Sequence, residues 1–222
     1  MIINLFNIFD PSSRSYLSLN WLRTLIILIL IPYQYWFIPS RQYIVLLILL
    51  NYLFNEFKII IKFAFSNMII IISLFIYILF NNSLGLFPYI FTSSSHIRFT
   101  LSLSISLWLS MILYGWINFF NKILSHLIPL NTPNTLIPFI IIVELISLII
   151  RPITLSVRLS ANIIAGHLLL SLLGSSNLQI SFTPLIIFTL LAQCLLYFLE
   201  IAVAIIQAYV FAILTLLYRR EI

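Results

Sequence analysis

Glu144-Leu-Ile-Ser-Leu-Ile-Ile-Arg151-Pro-Ile-Thr-Leu-Ser-Val-Arg158-Leu-Ser-Ala-Asn162-Ile-Ile-Ala-Gly166-His167 lies inside an apolar run that extends from Leu136 to Leu173. A cation at the centre of a bilayer costs roughly 2.5–3.5 kcal/mol on insertion scales, so a chain that keeps Arg158 there is expected to use it. The alternative is an arginine near a helix end, its stem in lipid and its head in water. Long apolar sequence on both sides of Arg158 argues against that.

Composition agrees with a membrane setting. Hydrophobic residues make up 63% of the chain and charged residues 7%, against roughly 25% charged in soluble domains. The apolar blocks are about 20 residues or longer, the length that crosses a bilayer as helix, and they lack the alternation of barrel strands. The fold class is therefore all-α and polytopic. The net charge of +6 comes from residues scattered at segment ends, which suits membrane orientation rather than a phosphate-binding stripe. The one cysteine, Cys194, excludes a disulfide framework and a cysteine metal site, and reads as packing. The first twenty residues show neither a signal-peptide core nor an Arg-rich presequence, so no cleaved leader is expected. Heavy use of Ile, Leu, Phe, Ser, Asn and Tyr suits AT-rich coding of an organellar kind.

The whole chain, 1–222, reads as one membrane domain, with residues 1–18 as an N-terminal segment. A first crossing is expected over about Leu19 to Phe37, closed by Pro32 and Pro39. In Ser40 to Lys62, residues Asn51, Asn55, Lys58 and Lys62 share one helix face, which predicts a helix lying in the interface, with a crossing as the alternative. Crossings follow at about Phe65 to Phe87 (ending at Pro88) and Phe99 to Phe120, flanked by loops at Thr92–Arg98 and Lys122–Pro133. The last two segments, Leu136 to Leu173 and Phe182 to Tyr218, are joined by Gly-Ser-Ser-Asn at 174–177. As helix the first of these would span about 57 Å against a hydrocarbon core of about 30 Å. Either each is broken or both are steeply inclined; Pro152 could kink the first. The expectation is about five crossings, an interfacial amphipathic helix and a long, strongly tilted C-terminal hairpin over 136–218. Arg41, Lys58, Lys62, Lys122, Arg219 and Arg220 then share one side, against Arg14, Arg98 and Arg23, so the C-terminus faces the cytoplasm or its organellar equivalent.

At 100° per residue Glu144, Arg151 and Arg158 form one stripe that drifts about 20° per step, and Asn162, four residues past Arg158, lies about 40° from it on the same stripe. His167 lies about 180° from Arg158, so the two look in opposite directions. Gln193, Glu200 and Gln207 repeat every seven residues on the final helix. Lipid cannot satisfy such stripes, which implies a water path or a polar partner; hydrogen bonding between helices is the plainer alternative for Gln193 and Asn162 taken singly. Desolvated carboxyls and imidazoles exchange protons near neutrality, so Glu200 with His167 would make a proton relay. Arg158 cannot join it, because guanidinium does not release its proton. It can block proton hopping and stabilise a carboxylate that has just lost its proton. Four glycines cannot build a phosphate-binding loop. No metal cluster or haem spacing is present, and His96 and His126 read as solvated loop-edge residues.

The segment Glu144–His167 resembles the signature of subunit a of rotary ATP synthases. Leu199-Glu200-Ile-Ala-Val-Ala-Ile-Ile-Gln207-Ala-Tyr209-Val-Phe resembles that family's last helix, and Asn82-Ser-Leu-Gly85-Leu-Phe-Pro88-Tyr the end of an earlier crossing. The resemblance implies a stator with two offset half-channels that pass protons to and from a rotating ring of carboxylate-bearing c subunits. It puts Arg158 at the essential position facing the ring, His167 and Glu200 in the entry half-channel, Glu144 in the exit half-channel, and Asn162 and Gln207 at the ring surface. The order of acid and imidazole resembles the mitochondrial type, which implies an inner-membrane location with the N-terminus toward the intermembrane space. Peripheral-stalk and other membrane subunits would be partners, nucleotide chemistry would lie elsewhere in the complex, and no cofactor or metal is expected. Two rival readings remain, a respiratory-pump subunit or secondary transporter, and a structural anchor. More crossings, inverted repeats or Lys–Glu chains would favour the first, and tolerance of apolar residues in the stripes the second.

Overall fold

A computed structural model describes residues 9–12, 19–32, 34, 36–60, 65–87, 90–126, 133, 136–177 and 183–221. These build six helices: α1 (Arg23–Leu30), α2 (Arg41–Ile60), α3 (Phe65–Gly85), α4 (Ile97–His126), α5 (Ile137–Asn177) and α6 (Thr183–Glu221). Short 3₁₀ turns at Leu19–Leu22 and Ser93–Ser95 precede α1 and α4. No strand occurs among the described residues. Helix is what lipid demands, since a segment with no water must satisfy its own backbone. The hydroxyls obey the same rule. Ser73 donates to the Ile70 carbonyl at 2.8 Å, Ser102 to Phe99 at 2.8 Å and Ser110 to Leu107 at 2.7 Å, so each can face an apolar medium without an orphaned group.

The core lies where α3, α5 and α6 meet, with the second half of α2 against one flank. Met68, Ile71, Phe75 and Ile78 recur on α3 at steps of three or four, which puts them on one face. Against them stand Ala208, Phe211, Ala212 and Leu216 of α6, Leu155 and Leu159 of α5, and Leu53 and Phe57 of α2. Ala204, Ala208 and Ala212, spaced by four and all buried, let backbones approach closely, the usual basis of helix association in membranes. Tyr209 fastens α2 to α6: its hydroxyl donates to Glu56 Oε2 at 3.1 Å, and its ring stacks on Phe57. Ala208→Leu is expected to overpack this seam by about 1–3 kcal/mol. A lower midpoint of thermal aggregation for the solubilised complex would register it.

Among the described residues five helices are long and apolar enough to cross a membrane, over Arg41–Ile59, Met68–Gly85, Ile97–Asn118, Ile137–Ser176 and Leu185–Arg219. The membership of that set departs from the expectation at one place. Residues 19–37 do not form one crossing helix; regular structure ends at Leu30, and Ile31 is already extended ahead of Pro32. The helical stretch from Leu19 to Leu30 covers roughly 20 Å, well short of the hydrocarbon core. The described part of the Ser40–Lys62 segment holds α2, Arg41–Ile60, and by length and composition it qualifies as a crossing. Asn51, Asn55 and Lys58 do line its exposed side, with Leu53 and Phe57 buried opposite.

Two loop boundaries also move. α4 runs through Lys122 to His126, and α5 runs through Gly174–Asn177, in place of the loops that their polar residues predict. The seryl hydroxyls at 175 and 176 bond back to the Leu172 and Leu173 carbonyls at 2.8 Å, which lets polar residues continue the helix. Pro152 lies inside α5 without ending it. Pro88, Lys62, Arg14 and the 178–182 connection fall outside the described residues. α5 and α6, at 41 and 39 residues, are each about 60 Å long. Neither can stand upright in a bilayer.

Candidate functional site

The antiparallel pairing of α5 with α6 sets the site. Gln207 Nε2 donates to the Arg158 carbonyl at 2.9 Å. One heptad earlier on α6, Glu200 lies against Gly166, where a Cβ would come within 2.7 Å of the Glu200 Cδ. One heptad earlier again, Gln193 lies beside Gly174, whose Cβ would be 3.8 Å from the amide nitrogen. The α6 polar stripe therefore meets α5 at 158, 166 and 174, and two of the chain's four glycines provide the gaps. Spacing alone reveals the stripe but not its sockets. The available signal is the pair Gly166 and Gly174, eight residues apart on the facing helix. Gly166→Ala is expected to push the Glu200 carboxyl aside while leaving assembly intact. A displaced reacting group can cost up to about 100-fold; a drop of about 10-fold or more in proton flux through the reconstituted complex would register it.

Around α5 the residues divide cleanly. Leu155, Ser156, Leu159, Ser160 and Ile163 are buried in the bundle. Val157, Arg158, Ala161, Asn162 and Ala165 are exposed along an open face. Arg158 is at the centre of that face, with no carboxylate within 4 Å among the described residues. Gln207 differs from the surface position expected of it: it is 6% exposed and lies between the helices, holding the Arg158 backbone. Glu144 pairs with Arg151 at 4.0 Å, two turns along the same stripe, and Arg151 also sits over the Tyr218 ring at 5.1 Å.

His167 faces elsewhere, as the helical arithmetic requires. It is half-buried, its backbone partner is Gly85 at the end of α3, and Phe9 meets its ring edge-on at 6.2 Å. Nε2 has no partner among the described residues. Glu200 is 9% exposed, and both carboxyl oxygens are buried without a partner. The two groups are not hydrogen-bonded to each other, so a proton passing between them needs water or a side-chain rotation. A cavity of about 170 Å³ joins Glu200 and Gly166 to Asn162, and so connects the carboxyl to the open face. Neither His167 nor Arg158 lines it. Arg158 instead borders a separate small cavity with Gln207 and Phe211.

Three features are not legible as function in the sequence. Arg23 is buried, at 6% exposure. His96 is not a solvated loop residue; its ring packs on Trp21 and Phe91 at 5.3 and 5.2 Å. Asn81, Asn82 and Ser93–Ser95 form a buried polar knot where α3 turns into α4, with Ser93 Oγ donating to Asn81 Oδ1 at 3.2 Å. No cluster of three metal-ligating side chains occurs among the described residues.

Comparison with known proteins decides the family. The model of the family described as "ATP synthase A chain" matches residues 17–220. The chain belongs to the ATP synthase A chain family. Over the full length of both chains it is 53% identical to ATP synthase subunit a of Drosophila mauritiana, 50% identical to that of Locusta migratoria and 48% identical to that of Aedes aegypti. Membership makes the chain the proton-translocating stator subunit of F-type ATP synthase. Within this ATP synthase subunit, the open α5 face carries Arg158 and Asn162, and the 170 Å³ cavity runs from Asn162 to Glu200.

Proposed function

We propose that protons reach the ring through His167 and Glu200, and leave it through a path containing Glu144, with Arg158 between the two. The single observation that carries this is the division of α5. Arg158 and Asn162 lie on the open face, whereas His167 is turned toward Gly85 and Phe9. A proton released from Glu200 meets the 170 Å³ cavity and the Asn162 side of that face. A ring carboxyl arriving there accepts it, loses its charge and can move into lipid. After nearly a full turn the carboxyl returns from the other side, gives its proton toward Glu144 and becomes an anion beside Arg158. The guanidinium stabilises that anion and, having no proton to give, prevents direct leakage between the paths.

Asn162 flanks the arginine at the ring surface, and Gln207 fixes the α5 backbone that carries it. The partner across the open face is the c-subunit ring, and the peripheral stalk and other membrane subunits hold the stator still. The chain is non-catalytic: it supplies proton motion, and nucleotide chemistry belongs to other subunits. Each charge yields about 2.3 kcal/mol per 100 mV, so several transfers must be summed by rotation to make one ATP.

Orientation follows from which ends meet. Arg219 lies over Tyr114, and Arg151 over Tyr218. This puts the basic end of α6 beside the second half of α4 and the first half of α5. Arg23 stands instead beside Gly85 at the far end of α3. More basic groups at the first end favours its facing the matrix. With α2 as the fifth crossing, the N-terminus then faces the intermembrane space, the side on which Arg23 stands. The order of acid and imidazole favours the mitochondrial inner membrane.

Disulfide trapping tests the ring assignment. With Cys194 replaced by serine, Ala161→Cys and Ala165→Cys should cross-link to cysteines placed beside the ring carboxyl, whereas Ser156→Cys and Ser160→Cys should not. Cross-linking from the second pair alone would put the ring on the wrong face.

A further inference from the structure

Arg23 opens α1 and is 6% exposed, yet none of its three guanidinium nitrogens has a hydrogen-bond partner among the described residues. No carboxylate lies within 4 Å of it among those residues either. A buried cation left both dry and unpaired is too costly to persist, so water must reach it. Its surroundings point to where that water leads. A Cβ on Gly85 would be 3.9 Å from Arg23 Nη2. The Gly85 backbone also lies beside His167, whose Nε2 is buried without a partner among the described residues. Nearby, the His96 Nε2 and the amide nitrogen of Asn82 are also buried and unpartnered.

We propose that Arg23 lines the outer mouth of the proton inlet, on the far side of His167 from Glu200, and acts as a positioning residue by setting the charge that an incoming proton must pass. This rests on the inlet role proposed for His167 and Glu200. α1, which the relay itself does not need, thereby becomes one wall of the inlet. The charged and titratable groups around it are His167 on α5, Glu200 on α6, His96 on the α3–α4 turn, and the exposed Asp10 and Arg98 beside Phe9 and at the start of α4. α3 contributes only the uncharged Asn81, Asn82 and Gly85 to this end. No anion among the described residues offsets Arg23 at contact distance, so its field opposes proton arrival at neighbouring sites. Neutralising it should let the inlet load at a lower outer proton concentration.

The test uses the whole ATP synthase in liposomes, with acid-driven ATP synthesis measured against outer pH. Arg23→Gln and Arg23→Ser should move the half-maximal rate to higher outer pH by about one unit, while Arg23→Lys keeps the original profile. In a Cys194→Ser background, Arg23→Cys should react with a membrane-impermeant cationic thiosulfonate added from the outer side. The added charge should then return the profile toward the original. Unchanged profiles in both neutral variants, or a thiol unreactive in the assembled complex, overturn the proposal. If the glutamine and serine variants fail to assemble, the Arg23→Cys complex decides alone: a profile that does not change between the unlabelled and the labelled protein overturns the proposal. Should Glu200→Gln leave proton flux unaltered, the inlet reading itself fails; a normal effect there with no shift at Arg23 removes only the role of Arg23.

Discussion

Arg158→Ala is expected to abolish ATP-coupled proton transport while the complex still assembles. The side chain is on the open face of α5 and contributes nothing to the buried seam formed by Leu155, Leu159 and Ile163. Its removal therefore leaves packing intact, and the Gln207 bond survives because it is made to the backbone carbonyl at 158. What disappears is the fixed cation. A ring carboxyl then has nothing to hold its anionic form at the moment of exchange, and the barrier between the two paths is lost. Removing one preorganised charge-stabilising donor costs about 100- to 1,000-fold in a reaction that depends on it. Loss of both barrier and stabilisation should bring ATP synthesis below detection. Arg158→Lys keeps a charge but replaces the planar fork with a strongly hydrated ammonium able to release its proton when desolvated, so it too should fail to couple. Subunit composition after solubilisation, measured beside ATP synthesis in vesicles, separates lost chemistry from lost assembly.

Glu200→Gln carries the second large effect. The carboxyl has both oxygens buried and unpartnered, beside Gly166 and at the edge of the cavity that leads to Asn162. Glutamine has nearly the same volume and cannot exchange a proton, so the helix seam should stand while entry slows. Positioned acid–base groups contribute about 100- to 10,000-fold to a proton transfer. Water leading past the site softens that, and a loss of about 10-fold or more in acid-driven synthesis is expected. His167→Ala should be milder. The imidazole has no bond to Glu200 in this arrangement, and water filling its space offers a substitute path. A Glu200→Gln enzyme with full proton flux would remove the relay from the mechanism.

The function is more legible in the sequence than the packing is. Arg158 stands out because a charge in so long an apolar run has no cheap explanation, and the half-turn between 158 and 167 follows from helix geometry alone. Both features survive in the folded chain. The α6 stripe is visible as a heptad spacing, but Gly166 and Gly174 as its sockets require the register of two antiparallel helices, which no local pattern encodes. Gln207 shows the same limit: a polar side chain on an apolar helix can face a partner or a neighbouring backbone, and here it bonds to the Arg158 carbonyl. Gly174–Asn177 and Lys122–His126 look like loops because they are polar, yet both continue their helices. Serine in an apolar medium can bond to its own helix instead of breaking it. Hydropathy makes residues 19–37 look like a crossing. Pro32, which holds Ile31 extended, stops the helix at Leu30. Arg23 looks like an end-of-segment charge, since its burial by Gly85 and the 92–96 turn comes from residues distant in sequence.

The most direct measurement is the separation between the Arg158 guanidinium and the ring carboxyl in an experimental structure of the assembled ATP synthase. The expected result is an approach to within about 6 Å, close enough for a direct or single-water contact, with His167 opening to different water. A guanidinium packed against lipid tails, or one sharing a single aqueous cavity with His167, would contradict a stator that keeps two proton paths apart.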